Sequence, residues 1–191
     1  MTQHKDRFYQ VNLRQVVCAG LLLAIGVVLP QLFHAVGGPT MGKIFLPLHI
    51  AVLMAGLLLG PMLGLLVGIL LPVASFLASG MPAPPTLFFM LFELAAYGFF
   101  TGLFYQKLPL VPSLILAMLA GRAVNALALL AGVGLLGIPY PGLGTGALLP
   151  AVLGTVAGAA VTGLPGILLQ LIVIPVLVTA LKRSGVLYGR G

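Results

Sequence analysis

LFFMLFELAAYGFFTGLFY, residues 87–105, is the stretch whose reading decides the fold. Only one side chain in it, Glu93, carries a charge at neutral pH, and it sits among phenylalanines and leucines. At a rise of ~1.5 Å per residue, a helix of about 20 residues crosses a hydrocarbon core of roughly 30 Å. The stretch is bounded by GMPAPPT (80–86), which removes several backbone donors, and by the break at Gln106–Pro109. It reads as a transmembrane helix.

The same pattern extends through the chain of 191 residues. Hydrophobic residues make up 61% and charged residues only 6%, whereas a soluble domain carries about a quarter charged residues. The expectation is an all-α, polytopic membrane protein: a six-transmembrane-helix bundle forming one domain, 1–191, with helices near 16–35, 44–59, 62–79, 87–105, 111–136 and 165–182. VGGPTMGK (36–43) and GIPYPGLGTG (137–146) read as irregular connections, and Gly60-Pro61 as a tight turn between two helices. Residues 147–162 remain open between an outer loop, a re-entrant segment and the start of a long bent final helix.

Charge placement gives the expected direction. With both termini cytoplasmic, Lys5, Arg7, Arg14, Lys107, Lys182, Arg183 and Arg190 fall inside, and only Lys43 falls in an outer loop. The formal charge of +7 is therefore read as a topology signal, with no nucleic-acid partner, because the basic residues are dispersed along the chain. The predicted localisation is the cell membrane, multi-pass, with the three long connections on the outer side. Cys18 is the sole cysteine, so no disulfide framework is available. No phosphate-cradling loop, His-Glu-x-x-His motif or Gly-x-Ser-x-Gly elbow is found, and no enzymatic activity is expected.

An ionisable group in a membrane costs about 2.5–3.5 kcal/mol even on lenient scales, so Glu93 and Arg122 each need a partner or a task. Helical rise puts them within about one turn of the same depth. Tyr97 follows Glu93 by four residues and Asn125 follows Arg122 by three, so each pair shares a helix face. Gln170 falls at a similar depth by the same rise. Glu93, Arg122, Asn125, Gln170, Tyr97 and His49 are the candidate substrate-binding residues, with His34 and Lys43 on the lid side and Phe88 or Phe92 as aromatic walls. The plainer alternative is a single ion pair that only fixes two neighbouring helices. Two histidines without an accompanying carboxylate or thiolate fall short of a metal site, and no metal or cofactor is predicted.

FLPLHIAVLMAGLLLGPMLGLLVGILLP (45–72), ASGMPAPP (78–85), FELAAYGFFTGLFY (92–105) and TGLPGILLQLIVIPVLV (162–178), in that succession, resemble the substrate-binding S component of energy-coupling-factor (ECF) vitamin transporters. The resemblance implies a protein that captures a small water-soluble vitamin or precursor from outside and passes it to a transmembrane coupling subunit driven by two ATPase subunits. It also implies that small residues of the first helix meet the coupling subunit; Gly20 and Ala24 match that pattern, with Gly in place of the first Ala. Pocket chemistry points to a niacin-like or pyridoxine-like solute. The competing readings are a membrane scaffold or assembly protein, and a self-sufficient secondary transporter.

Overall fold

The structure, a computed structural model, describes residues 12–143 and 147–184. Among these there are seven α-helices: α1 (Leu13–Phe45), α2 (Pro47–Leu59), α3 (Pro61–Ser79), α4 (Thr86–Phe104), α5 (Leu110–Gly134), α6 (Leu148–Thr162) and α7 (Leu164–Arg183). Five of them, α1, α3, α4, α5 and α7, are long and apolar enough to cross a membrane. Lys5, Arg7 and Arg190 lie outside the described residues, as do residues 144–146 of the second irregular connection.

α1 starts earlier than hydropathy alone indicates. The Asn12 side chain accepts from the backbone of the first turn while Gln15 reaches back to the Asn12 N–H at 3.1 Å, a capping box that satisfies donors the helix start would otherwise leave open. The break expected across 36–43 narrows to Gly37 and Gly38, where only a residue without Cβ takes φ 66° with ψ −165° at Gly38. Pro39, whose fixed φ suits a first helical turn, restarts the helix, which runs on to Phe45. Residues 39–43 are therefore helical where an irregular connection was expected, and residues 44–45 belong to α1 rather than to the second helix.

α2 is the central element. Eleven of its 13 residues are buried, so it is apolar on all sides, as a helix surrounded by other helices must be. α3 and α4 meet backbone to backbone: a Cβ on Gly98 would collide with the Gly64 carbonyl, one on Gly68 with the Leu94 carbonyl, and one on Gly102 with Pro61 and Gly60. Helices in lipid associate by such close approach at small residues. The outward faces of α1, α5 and α7 instead carry exposed Leu21, Ile25, Leu119, Ile172 and Val176, which a water-soluble surface does not assemble in such stripes.

The 147–162 segment is a helix, α6, from Leu148 to Thr162. It begins where Leu148 packs over Gly134 at the end of α5, and it ends at Gly163 beneath the Leu46 side chain. α7 then starts with Gly166 against the Phe45 backbone and finishes where Lys182 Nζ donates to Tyr105 Oη at 2.9 Å. Thus α6 begins and ends at one end of the bundle, whereas α7 runs to the other. Val152 is the one buried residue of α6.

Candidate functional site

A cavity of about 640 Å³ opens at the end of the bundle where the connections α1–α2, α3–α4 and α5–α6 gather. Its size falls within the range of small-molecule sites, about 300–1,000 Å³. One wall is the turn between α3 and α4, Met81 to Pro85, whose prolines present apolar surface without N–H groups in need of partners. Ser75 holds that turn by donating from Oγ to the Met81 carbonyl at 2.9 Å. Thr155, Ala159 and Thr162 of α6 form the opposite wall.

The floor is built by α2, α4 and α5. Glu93, 4% exposed, accepts at Oε1 from Arg122 Nη1 (2.9 Å) and from the Tyr97 hydroxyl (2.9 Å). Its Oε2 accepts from Asn125 Nδ2 at 2.8 Å. The i, i+4 step from Glu93 to Tyr97 and the i, i+3 step from Arg122 to Asn125 are what put each pair on one face. Gly121 makes room for this: a Cβ there would run into the Tyr97 ring. A carboxylate only accepts, so the Asn125 amide must turn its NH2 toward Glu93, which leaves Oδ1 directed elsewhere.

His49, 3% exposed, stacks at a tilt on the Tyr97 ring with centroids 5.2 Å apart. Its Nε2 lies 3.9 Å from Glu93 Oε1, beyond hydrogen-bond range. Both imidazole nitrogens, Arg122 Nε and Asn125 Oδ1 are buried without a partner in the protein. Buried polar atoms are nearly always satisfied, so four unpaired ones on residues that line one cavity, each closed to solvent, mark a polar floor not fully paired within the protein.

Of the residues singled out from sequence, the structure therefore brings together Glu93, Arg122, Asn125, Tyr97 and His49, with His34 and Lys43 on the cavity lining above them. Gln170 is placed differently. It is 1% exposed, and its amide donates to the Leu46 carbonyl at 3.2 Å, pinning α7 to the α1–α2 corner. That corner needs a support, since Leu46 adopts a left-handed conformation, φ 50°, unfavourable for a side chain with a Cβ. Gly20 and Ala24 do not line the cavity and lie on the exposed face of α1, and a Cβ on Gly20 would meet nothing within 4 Å. Among the described residues no cluster of three or more His, Cys, Asp or Glu side chains is disposed to hold a metal.

The aromatic wall requires a correction. Phe88 and Phe92 are 49% and 58% exposed, facing away from the bundle. Phe89 lines the cavity instead, packed edge-on against Tyr140 with centroids 5.3 Å apart and an interplanar angle of 84°. The i, i+4 rule applied back from Glu93 selects Phe89, whereas Phe92 lies about 100° around the helix. Tyr140 sits in the α5–α6 connection, where periodicity gives no signal; burial pushes its phenol up, so it stays protonated near neutral pH.

Residues 14–178 match the family described as ECF transporter, substrate-specific component. No curated protein and no solved structure matches the chain.

Proposed function

Because the chain belongs to the family of ECF transporter substrate-specific components, we propose that it captures a small water-soluble vitamin or vitamin precursor in the cavity above Glu93 and Arg122. It is a multi-pass membrane protein and the substrate-specific subunit of such a transporter. In this reading it delivers its ligand through a transmembrane coupling subunit powered by two ATPase subunits, with Gly20 and Ala24 on the α1 face that meets the coupling subunit. The chain itself binds and does not catalyse.

We assign six membrane crossings, α1 to α5 and α7, in one domain, with α6 folded over the cavity end. The shared end of the α6 termini supports this count, since an even number of crossings returns the chain to its starting side. Arg14, Lys107, Lys182 and Arg183 all stand at the end opposite the cavity, which supports cytoplasmic termini and an outward-facing mouth.

The observation that carries the proposal is the floor of the cavity: a neutralised ion pair ringed by unsatisfied polar atoms. An ion pair that only braced two helices would not need a cavity or leave His49 unpaired. The preferred ligand is a small heterocycle, niacin-like or pyridoxine-like, against Phe89 and Tyr140. Native mass spectrometry of protein purified from its own host should reveal a retained small molecule, and Arg122→Ala should abolish that retention while the protein remains folded. A folded Arg122→Ala protein with undiminished ligand would leave the scaffold reading in its place. Uptake into vesicles without the ATPase module would instead favour a self-sufficient transporter.

A further inference from the structure

The two basic residues in the last turn of α7 are placed differently. Lys182 Nζ donates to the Tyr105 hydroxyl at 2.9 Å and lies 5.7 Å from the centre of that ring, so it is committed to the end of α4. Arg183 stands about 100° further around the helix and lines a groove of about 430 Å³ on the exposed face of α7. Among the described residues the rest of the lining is Pro175, Val176, Thr179 and Ala180, which helical spacing puts on the same face as Arg183.

The groove is apolar along its length and charged at one end. Thr179 turns its hydroxyl back to the Pro175 carbonyl at 2.7 Å, so its donor is spent within its own helix. Pro175 has no N–H to offer, and Val176 is 63% exposed. α7 has 20 residues, which at a rise of ~1.5 Å per residue cross a hydrocarbon core of roughly 30 Å and bring Arg183 to its polar boundary. No carboxylate balances Arg183 there: Glu93, at the cavity floor, is the only acidic side chain among the described residues, and Asp6 lies outside them.

An apolar groove that ends in a guanidinium matches the tail and head of one anionic membrane lipid. The planar guanidinium suits phosphate oxygens, and an acyl chain would fill the notch over Ala180. We propose that this groove binds a phospholipid of net negative charge, its phosphate on Arg183 and one acyl chain lying along α7 toward Pro175. A zwitterionic lipid offers the same phosphate but sets an ammonium beside Arg183 and Lys182, so net charge is what the site selects. The site lies at the end of the bundle opposite the solute cavity and does not depend on what that cavity takes up.

The plainer account is that Arg183 reaches the headgroup layer as any basic residue at a helix end does, with no site behind it. To separate the two, the full-length protein is reconstituted in vesicles of equal parts phosphatidylglycerol and phosphatidylcholine and extracted in mild detergent. Its lipid adducts are then counted by native mass spectrometry. Phosphatidylglycerol should exceed phosphatidylcholine about fivefold, the preference one basic residue confers at a membrane surface. Arg183→Gln should return the adducts to the vesicle ratio, and Ala180→Phe, which fills the groove but keeps the guanidinium, should lower phosphatidylglycerol retention about as far. Lys107→Gln removes the same charge at the same end, outside the groove, and should leave the ratio as it is. All three positions are exposed, so melting should match wild type. A wild-type ratio equal to that of the vesicle would overturn the site, as would unchanged retention in Arg183→Gln or Ala180→Phe. Equal losses from Arg183→Gln and Lys107→Gln would overturn it too, since the preference would then belong to the whole basic end.

Discussion

Helix α4 is packed by two different means along its length. In its second half, Gly98 and Gly102 bring its backbone directly against Gly64 and the Gly60-Pro61 turn of α3. Nearer its start, the backbone contact with α3 reaches only to Leu94, opposite Gly68, and Phe89 and Glu93 line the cavity instead. Lipid supplies no hydrophobic force between helices, so tight association has to come from backbone contact or from polar groups. The glycine half supplies a clamp that needs no side chains, and this frees the polar half to keep some of its hydrogen-bonding atoms unsatisfied. The clamp and the cavity are thus expected to respond very differently to substitution.

The largest effect should come from breaking the clamp. Gly98→Leu places a side chain where the Gly64 carbonyl already lies, and neither helix has a flexible side chain there to yield. Overpacking a core typically costs about 1–3 kcal/mol, and more where backbone must move. No monodisperse protein should be recovered on size-exclusion chromatography; recovery of a variant with wild-type melting would show that α3 and α4 can separate without cost. Glu93→Gln should rank second. It leaves the partly buried Arg122, 15% exposed, without a counterion, a loss of up to about 3–5 kcal/mol that a lowered melting temperature would register. The double variant Glu93→Gln/Arg122→Gln should recover part of that loss, and an additive double variant would contradict the pairing.

The polar half was the more legible of the two in the sequence. Helical spacing alone tied Tyr97 to Glu93 and Asn125 to Arg122, and helical rise set the two pairs at one depth, because a lone charge in an apolar run has few ways to be satisfied. Depth says nothing about direction around the bundle, however. Gln170 therefore joined the polar layer on paper, while in the structure it turns to the Leu46 carbonyl. Gly64 and Gly68 in α3 and Gly98 and Gly102 in α4 are spaced four apart in the sequence, but spacing does not say which backbone each touches. The capping box at Asn12 and Gln15 sets the start of α1 at Leu13, three residues before the apolar run that hydropathy picks out at Val16. For α6, length was the obstacle: 15 apolar residues fit a short buried helix, a re-entrant segment or part of a span equally well.

Gln170→Leu, which frees α7 from the α1–α2 corner, should act more weakly. It removes the 3.2 Å side-chain donor from the Leu46 carbonyl, which keeps the His49 N–H at 3.1 Å, so a loss of about 0.5–1.5 kcal/mol is expected. Since Leu46 also lines the cavity, ligand dissociation should accelerate severalfold along with the fall in melting temperature. If melting falls and dissociation is unchanged, the α1–α2 corner is a purely structural support.

The smallest effect on the isolated protein should come from Gly20→Leu, although it is the same kind of substitution as Gly98→Leu. A Cβ on Gly20 meets nothing within 4 Å, and its neighbours Val17, Leu21 and Val28 are all more than half exposed. Surface substitutions of this kind usually change stability by less than about 0.5 kcal/mol. Melting temperature and ligand binding should therefore match wild type. If the α1 face is where the coupling subunit docks, the added side chain would prevent close approach there, and co-purification with that subunit should be lost. Retained co-purification would make Gly20 and Ala24 part of a lipid-facing surface, and would confine backbone-to-backbone packing by small residues to the inside of the bundle.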